Sequence, residues 1–181
     1  MENKKPKKLL IVAMITIMMI GITSCGILGK TLNQIMDSEL DADAATESQK
    51  KVVEAFIAQD ISSLKKLLTK NAIAKIDNLD DKLEEAIAFC KGEYVSHEYY
   101  FTTGGHNSYG KKQITINLYI TFITGENTYI ICCKQVVYDE ISNDLGIYSI
   151  KVIEKSLAPS SDNWHQTNDN PDEPSINTFY E

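Results

Sequence analysis

The sequence predicts an α+β domain in which N-terminal helices pack on a curved four-stranded antiparallel sheet. Two observations predict it. Between residues 46 and 91 the apolar residues recur every three to four positions, as on one face of a helix. From residue 93 to residue 154 they alternate with polar residues, as in strands with one buried face. Helices that precede all the strands favour an α+β domain with the helices on one side of the sheet.

The first 24 residues predict a secretory signal peptide. Four lysines between residues 4 and 8 precede an apolar run, Leu9–Ile22, that contains only Thr16 and Gly21 as interruptions. A permanent membrane-spanning helix needs roughly 20 apolar residues, so this run is short for one. A basic start, a short apolar stretch and small residues at its end are typical of a secretory signal.

The signal ends in Ile22-Thr23-Ser24-Cys25, which resembles the lipobox of bacterial lipoproteins. The resemblance implies that the Cys25 thiol receives a diacylglycerol and that cleavage leaves Cys25 as the first mature residue. The alternative is a single-pass anchor in which Cys25 is an ordinary residue. Under both interpretations the lysines stay inside and the rest of the chain lies outside the cytoplasm. We therefore expect the protein to lie on the extracytoplasmic face of the cell membrane. A lipid on Cys25 would anchor it, so the membrane is one expected partner.

Three further segments are predicted after the signal. Residues 25–45, with Cys25 at their start, are polar and acidic and are expected to form a tether. Residues 46–157 form the α+β domain, which is close to the commonest domain size. Residues 158–181 are rich in Pro, Ser, Asn and Asp and predict a disordered tail. The alternative for the tail is that Trp164 folds back onto the domain.

Each element of the domain has a local signal. Thr46 followed by Gln49 resembles a capping box at the start of the first helix, and Asp60 is placed to cap the second. A third helix is predicted from about Asn78 to Lys91, with Gly92 as its stop. Alternation predicts strands over 93–103, 112–124, 128–138 and 146–154, and Gly125 supplies a hairpin turn between the second and the third.

The charge of the chain argues against nucleic-acid binding. It carries 25 Asp and Glu against 18 basic residues, all of them Lys, for a net charge of −7. Proteins that bind phosphate backbones concentrate Lys and Arg in basic patches. The sequence therefore predicts no nucleic-acid partner.

The order and spacing of the elements resemble a known fold family. The residues that carry the resemblance are the helix segment 78–83, the helix end and strand start at 89–93, and the last strand at 146–150. Together they are similar to the nuclear-transport-factor-2-like, or cystatin-like, cone. More narrowly, the region from about Gln49 to Lys155 resembles domain of unknown function family 5104, found in lipoproteins of Gram-positive bacteria. The resemblance implies a fold and a location, and it implies no reaction, because no activity is established for that family.

The cone resemblance implies a pocket between helices and sheet, and His97 with Tyr99 are the residues that we place there. Both lie on one face of the first predicted strand. Relatives of the cone include isomerases that use an Asp or His base with a Tyr acid. A general base must lie within hydrogen-bond reach of the proton that it removes. The favoured interpretation is that His97 lies at a sheet surface and that the tyrosines fill the pleats, so no catalytic residue is assigned.

No motif indicates a cofactor or a metal. The sequence contains no phosphate-binding loop, no Gly-x-Ser-x-Gly and no His-Glu-x-x-His pattern. Cys132 and Cys133 are adjacent and lack the spacing of zinc ligands. With Cys90 they are expected to remain thiols, and a bridge from Cys90 to one of them is the alternative.

Three functional hypotheses follow. The leading one is a lipid-anchored, non-catalytic binding module for a small molecule, a peptide or a neighbouring protein. The second is a small isomerase or cyclase that uses the cone pocket. The third is a structural domain that associates with a second copy of itself through its sheet.

Overall fold

The structure, a computed structural model, describes residues 42–108, 110–158 and 174–179. Nearly all of them belong to one unit, Asp43–Glu181. The predicted signal peptide, Cys25, most of the tether and Trp164 lie outside the described residues. Within the described ranges no helix is long and apolar enough to cross a membrane.

Four helices come first in the described chain. Helix α1 covers residues 42–58. The other three are short and follow closely: α2 is Ile61–Lys66, α3 is Lys70–Lys75 and α4 is Leu79–Phe89.

Two of the predicted helix boundaries, the start of α2 and the end of α4, agree with the structure. The side chain of Asp60 accepts a hydrogen bond from the backbone N–H of Ser63 at 3.0 Å, which confirms it as the cap of α2. Helix α4 ends at Phe89, and Gly92 lies just beyond it with φ +95°, a conformation that glycine adopts without strain.

The predicted capping box at Thr46 is wrong. Residues 42–45 are already helical, so Thr46 and Gln49 lie inside α1 and not at its start. Both side chains turn to the sheet instead, where they contact Tyr99 and His97. A contact with another element decides their role, and a local pattern of side chains cannot reveal such a contact.

Five strands form one mixed sheet in the order β1-β2-β3-β4-β5. Their bounds are Tyr94–Ser108 for β1, Lys111–Thr124 for β2, Thr128–Asp139 for β3, Gly146–Glu154 for β4 and Ser175–Phe179 for β5. The first four run antiparallel to their neighbours, and β5 pairs with β4 in parallel.

The α+β class is confirmed, and the four expected strands run antiparallel to one another. The expectation of a four-stranded, wholly antiparallel sheet is wrong, because a fifth strand joins β4 in parallel. Strand β5 comes from the segment 158–181 that composition predicts to be disordered. Within Ser175–Phe179, Ile176 pairs with Ile150 and is buried in the core, which offsets the cost of ordering a polar segment. The sequence signal is a five-residue stretch with two apolar residues, Ile176 and Phe179, and it is too weak to predict a strand.

The hydrophobic core lies between the helices and one side of the sheet. The register aligns Leu118, Cys133, Ile150 and Ile176 in one row across β2 to β5. Phe56 of α1 packs on Phe122 of β2, with ring centroids 6.1 Å apart. The largest fully buried side chains from both layers include Leu64, Leu83, Leu118, Ile120, Ile131, Ile147 and Ile150.

Strand β4 also forms backbone hydrogen bonds with the connection between α2 and α3. The N–H of Ile147 donates to the carbonyl of Leu67 at 2.8 Å, and the N–H of Thr69 donates to the carbonyl of Ile147 at 2.9 Å. Gly146 permits this close approach. It has φ +133°, and a Cβ built on it would lie 2.7 Å from the Leu67 carbonyl oxygen.

Substitution Gly146→Ala is therefore expected to lower the free energy of unfolding by more than about 1 kcal/mol, because it adds both backbone strain and a clash with backbone atoms. Chemical denaturation of the full chain measures the change. Gly110→Ala is the matched control, since Gly110 also has positive φ (+78°) but nothing lies within 4 Å of an added Cβ. Equal losses in the two variants would contradict the role of the close approach.

Candidate functional site

His97 lies on β1, on the side of the sheet that faces the helices, opposite Phe122. Its Nδ1 is 2.7 Å from the Tyr94 hydroxyl, and its Nε2 is in contact with the side-chain amide nitrogen of Gln49. Both ring nitrogens are thus engaged by protein groups, and the contact joins α1 to β1.

Tyr99 has a similar position and a similar partner. It faces the same side of the sheet, opposite Ile120, and its hydroxyl is 3.0 Å from the hydroxyl of Thr46 on α1. The structure therefore places His97 and Tyr99 on one strand face, as their spacing predicts. Other residues line the two grooves at the ends of the sheet, and buried apolar side chains occupy the space between α1 and β2.

The three described cysteines form no disulfide. Cys133 belongs to the helix-side core, and Cys132, its neighbour, faces the opposite side of the sheet. Burial raises the pKa of Cys90 to about 12, and it raises the pKa of Cys133 as well. A thiol reacts through its thiolate, so a raised pKa makes both groups weak nucleophiles.

Asp139 organises the turn between β3 and β4. The residue is only 7% exposed, and its carboxylate accepts hydrogen bonds from the backbone N–H of Ile141 at 2.8 Å and of Ser142 at 3.2 Å, and from the Ser142 hydroxyl. Burial by itself raises the pKa of this carboxyl, but the hydrogen bonds outweigh it and lower the pKa to about 2. Asp139 is thus a structural anion at the centre of the turn.

Asp144 extends this turn to the helices. Its carboxylate accepts from the backbone N–H groups of Lys70 and Asn71, both at 2.8 Å, at the start of α3. A cleft of about 260 Å³ lies between Asp139, Asp144 and α3. Among the described residues no cluster of three or more His, Cys, Asp or Glu could hold a metal ion. The sequence predicts only a turn over residues 142–144. The signal for the role of Asp139 was a Ser three residues later, Ser142, because an Asp side chain often accepts hydrogen bonds from the turn that follows it.

A larger groove, of about 520 Å³, opens at the other end of the sheet. Three separate parts of the domain meet there: the last turn of α4, the turn between β2 and β3, and the end of β4. Its lining residues are Glu85, Ala88, Phe89, Lys91, Asn127, Tyr129, Glu154 and Leu157.

Tyr129 forms the floor of this groove. It is 2% exposed, and its ring meets Phe89 edge to face with centroids 5.7 Å apart. Its hydroxyl accepts from the backbone N–H of Lys91 at 3.0 Å and from the side-chain amide of Asn127 at 3.4 Å. The tyrosine therefore ties the end of α4 to the start of β3.

The turn between β2 and β3 holds the backbone of Lys91, at the edge of this groove, through hydrogen bonds. The hydroxyl of Thr124 donates to the Lys91 carbonyl at 2.7 Å and accepts from the N–H of Asn127 at 3.0 Å. A Cβ on Gly92 would lie 2.9 Å from the same hydroxyl, so the residue between helix and strand must be small. The position of the Lys91 backbone is thus fixed on both sides.

The charges at the rim are two carboxylates and one ammonium. Glu85 Oε1 accepts from the hydroxyl of Thr178 on β5 at 2.6 Å, and Glu154 Oε1 accepts from the Ser156 hydroxyl at 2.5 Å. With Lys91 they give the groove a net negative charge over an aromatic floor. Sequence analysis missed this site, because α4 and the ends of β3 and β4 meet there only in the folded domain.

Comparison with known proteins identifies the domain. The model of the family described as Domain of unknown function (DUF5104) matches residues 51–155, more than half of the chain. The chain belongs to this family. The matched region contains all four antiparallel strands and most of the helical layer, and it ends before β5. Searches of curated proteins and of solved structures found no match.

The Asp139 turn gives a pH-dependent prediction. Because the folded pKa is depressed, ionised Asp139 stabilises the fold above its unfolded pKa of about 3.9, and this contribution is lost as the pH falls toward about 2. Asp139→Asn should lower the free energy of unfolding by about 1–2 kcal/mol at pH 7. The difference from the wild-type chain should shrink between pH 4 and pH 2.

Urea unfolding at a series of pH values measures this difference. Asp77→Asn is the control, since Asp77 is exposed in the turn before α4. A wild-type-to-variant difference for Asp139→Asn that stays constant from pH 7 to pH 2 would contradict the assignment.

Proposed function

We propose that this protein is a lipid-anchored binding module on the extracytoplasmic face of the membrane, and that the groove over Tyr129 is its ligand site. The basic start, the short apolar run and the Ile22-Thr23-Ser24-Cys25 sequence support the anchor. Membership of the family supports the resemblance to Gram-positive lipoproteins from which the location is inferred.

The anchor makes a direct prediction about the N-terminus. Mass spectrometry of the protein from native membranes should find Cys25 as the first residue, with the mass of a diacylglycerol on its thiol. Cys25→Ser removes the acceptor sulfur, so this variant should retain residues 1–24. An inhibitor of lipoprotein processing should give the same retention in the wild-type chain. A mature N-terminus at any other residue would overturn the anchor.

The relation to the nuclear-transport-factor-2-like cone belongs to the same proposal. Helices that precede an antiparallel meander support it, as do the register shifts in the three antiparallel pairings, since β-bulges generally bend a strand. In such a cone the ligand site is expected between helices and sheet. Here side chains such as Phe56, Leu118 and Ile120 fill that space, so the binding site moves to the end of the sheet.

The groove over Tyr129 carries the binding proposal, because it is concave, partly apolar and ringed by a few fixed polar groups, the usual form of a ligand site. Its volume of about 520 Å³ suits a short peptide segment or a small organic molecule. Two carboxylates against one ammonium favour a cationic or zwitterionic ligand. The half-buried ring of Phe89 adds a surface that attracts an ammonium group.

Trilysine is a suitable probe for the charge preference, with triglutamate as its opposite. We expect calorimetric titration of the full chain in detergent to detect trilysine and not triglutamate. Glu154→Gln and Glu85→Gln should each weaken trilysine binding by about tenfold, which is about 1.4 kcal/mol. Gln keeps the oxygen that accepts from Ser156 or Thr178, so the local fold is preserved.

Glu84→Gln is the matched control, because Glu84 is exposed on α4 beside Glu85 but does not line the groove. An equal effect in all three variants would indicate a general effect of net charge and would contradict the site. Binding of both probes with the same affinity would contradict the charge preference.

A further inference from the structure

Two separate segments occupy the edge of β4 that faces away from β3. At Ile147 this edge bonds to the connection between α2 and α3, through the Leu67 carbonyl at 2.8 Å and the Thr69 N–H at 2.9 Å. Strand β5 pairs in parallel with the following stretch of the edge, residues 149–153. This stretch, here called the strand slot, is thus bounded by backbone at Ile147 and continues at its other end toward Glu154, the last residue of β4.

Two side chains of β5 contact the walls of the strand slot. Ile176 pairs with Ile150 and is 3% exposed in the core. Two residues later, the hydroxyl of Thr178 donates to Glu85 of α4 at 2.6 Å, whereas Asn177 between them is exposed. When a strand is added to a sheet edge, the backbone ladder supplies affinity and alternate side chains supply specificity. The slot therefore selects an aliphatic residue followed, two positions later, by a hydroxyl group.

Few contacts hold β5 in the slot. The strand is five residues long, and of residues 175–178 only Ile176 is buried. The entropy cost of ordering five residues opposes the gain from burying one side chain. Segments with few buried apolar contacts open locally without unfolding the rest of a domain. A second strand with the same pattern and additional contacts is thus able to replace β5.

The family domain contains the strand slot but not the strand that lies in it. The match to the family model covers residues 51–155, which include α4 with Glu85 and the whole of β4. Strand β5 lies beyond this match. The acceptor therefore belongs to the family domain, and its present occupant is an addition to it.

The strand slot leads into the groove over Tyr129. Glu85 contacts β5 and also lines the groove, and Glu154, the residue that follows the slot, lines the groove as well. Because the pairing is parallel, a strand in the slot runs toward Glu154 and its continuation is directed to the groove. The next residues of this chain, 180–181, include no lysine. A strand followed by lysine would add an attraction to both carboxylates.

We propose that the strand slot and the groove together bind one extended segment of a partner protein, which takes the place of β5. The segment has an aliphatic residue at the position of Ile176, Thr or Ser at the position of Thr178, and Lys directly after the position of Phe179. The inference rests on the proposed function for the groove and extends it, because it names the class of ligand and the backbone pairing that recognises it.

The test uses the full chain in detergent with the substitution Ile176→Asp, which makes burial of β5 unfavourable and so empties the slot. The probe is the fluorescent peptide Ser-Ile-Asn-Thr-Phe-Lys-Lys, and its matched control has Asp in place of Ile. Fluorescence anisotropy should show that this variant binds the probe about tenfold more tightly than the control. The wild-type chain, in which β5 competes, should bind the probe about tenfold more weakly than the variant does. Equal binding of the two peptides by the variant would overturn the proposal.

A third peptide, Ser-Ile-Asn-Thr-Phe-Gly-Gly, separates the slot from the groove. It should bind the variant more weakly than the probe does, and a further Glu85→Gln substitution should reduce this difference, whereas Glu84→Gln should not. Trilysine binding without an effect of the peptide isoleucine would contradict the strand slot and leave the groove as a ligand site. An effect of the isoleucine without one of the lysines would contradict the ligand proposed for the groove, and this inference with it.

Protection of Cys133 from a maleimide shows that the Ile176→Asp chain folds, because this thiol lies in the core. If Cys133 reacts, photo-crosslinking to the wild-type chain decides the case. A probe with benzoylphenylalanine in place of Phe should label β4 near Ile153, which pairs with Phe179, and excess unmodified probe should suppress the label. Absence of label on β4 would overturn the proposal, and so would equal suppression by the control peptide.

Discussion

The domain depends on the burial of β4, in which every residue from 147 to 153 is buried. A strand that is shielded on both faces must satisfy every backbone N–H and C=O within the protein. Strand β3 and the parallel β5 supply partners on the two sides, and the connection between α2 and α3 supplies the remaining ones at Ile147. Gly146 is necessary at this junction, since a side chain would collide with the Leu67 carbonyl. The helices, the meander and the C-terminal strand are thus joined through one strand.

The same constraint separates the two ends of the sheet. At the start of β4, the carboxylates of Asp139 and Asp144 accept hydrogen bonds from the turn and from the first N–H groups of α3. Their role there is structural. At its end, Glu154 and Glu85 each accept a hydrogen bond from a hydroxyl group, at the rim of a groove with an aromatic floor. The two ends contain similar residue types, but only the second combines them with a concave surface large enough for a ligand.

His97 and Tyr99 illustrate the difference between a reactive residue type and a reactive site. Both are placed on the expected strand face, but Gln49, Tyr94 and Thr46 engage their polar atoms. In a cavity the same pair could act on a substrate. Here they hold α1 against the edge strand, which explains why polar residues recur on an otherwise apolar interface.

The sequence by itself determined the elements whose signal is local. Alternation of apolar and polar residues predicts β2 and β3, Asp60 predicts the start of α2, and Gly92 marks the end of α4, because each depends on neighbours within a few residues. Only the tertiary structure decided the rest. Strand β5 is stabilised by burial of Ile176 next to Ile150, and the groove unites α4 with the ends of β3 and β4. These features depend on contacts between residues that are far apart in the chain, and a pattern read along the chain carries no information about such contacts.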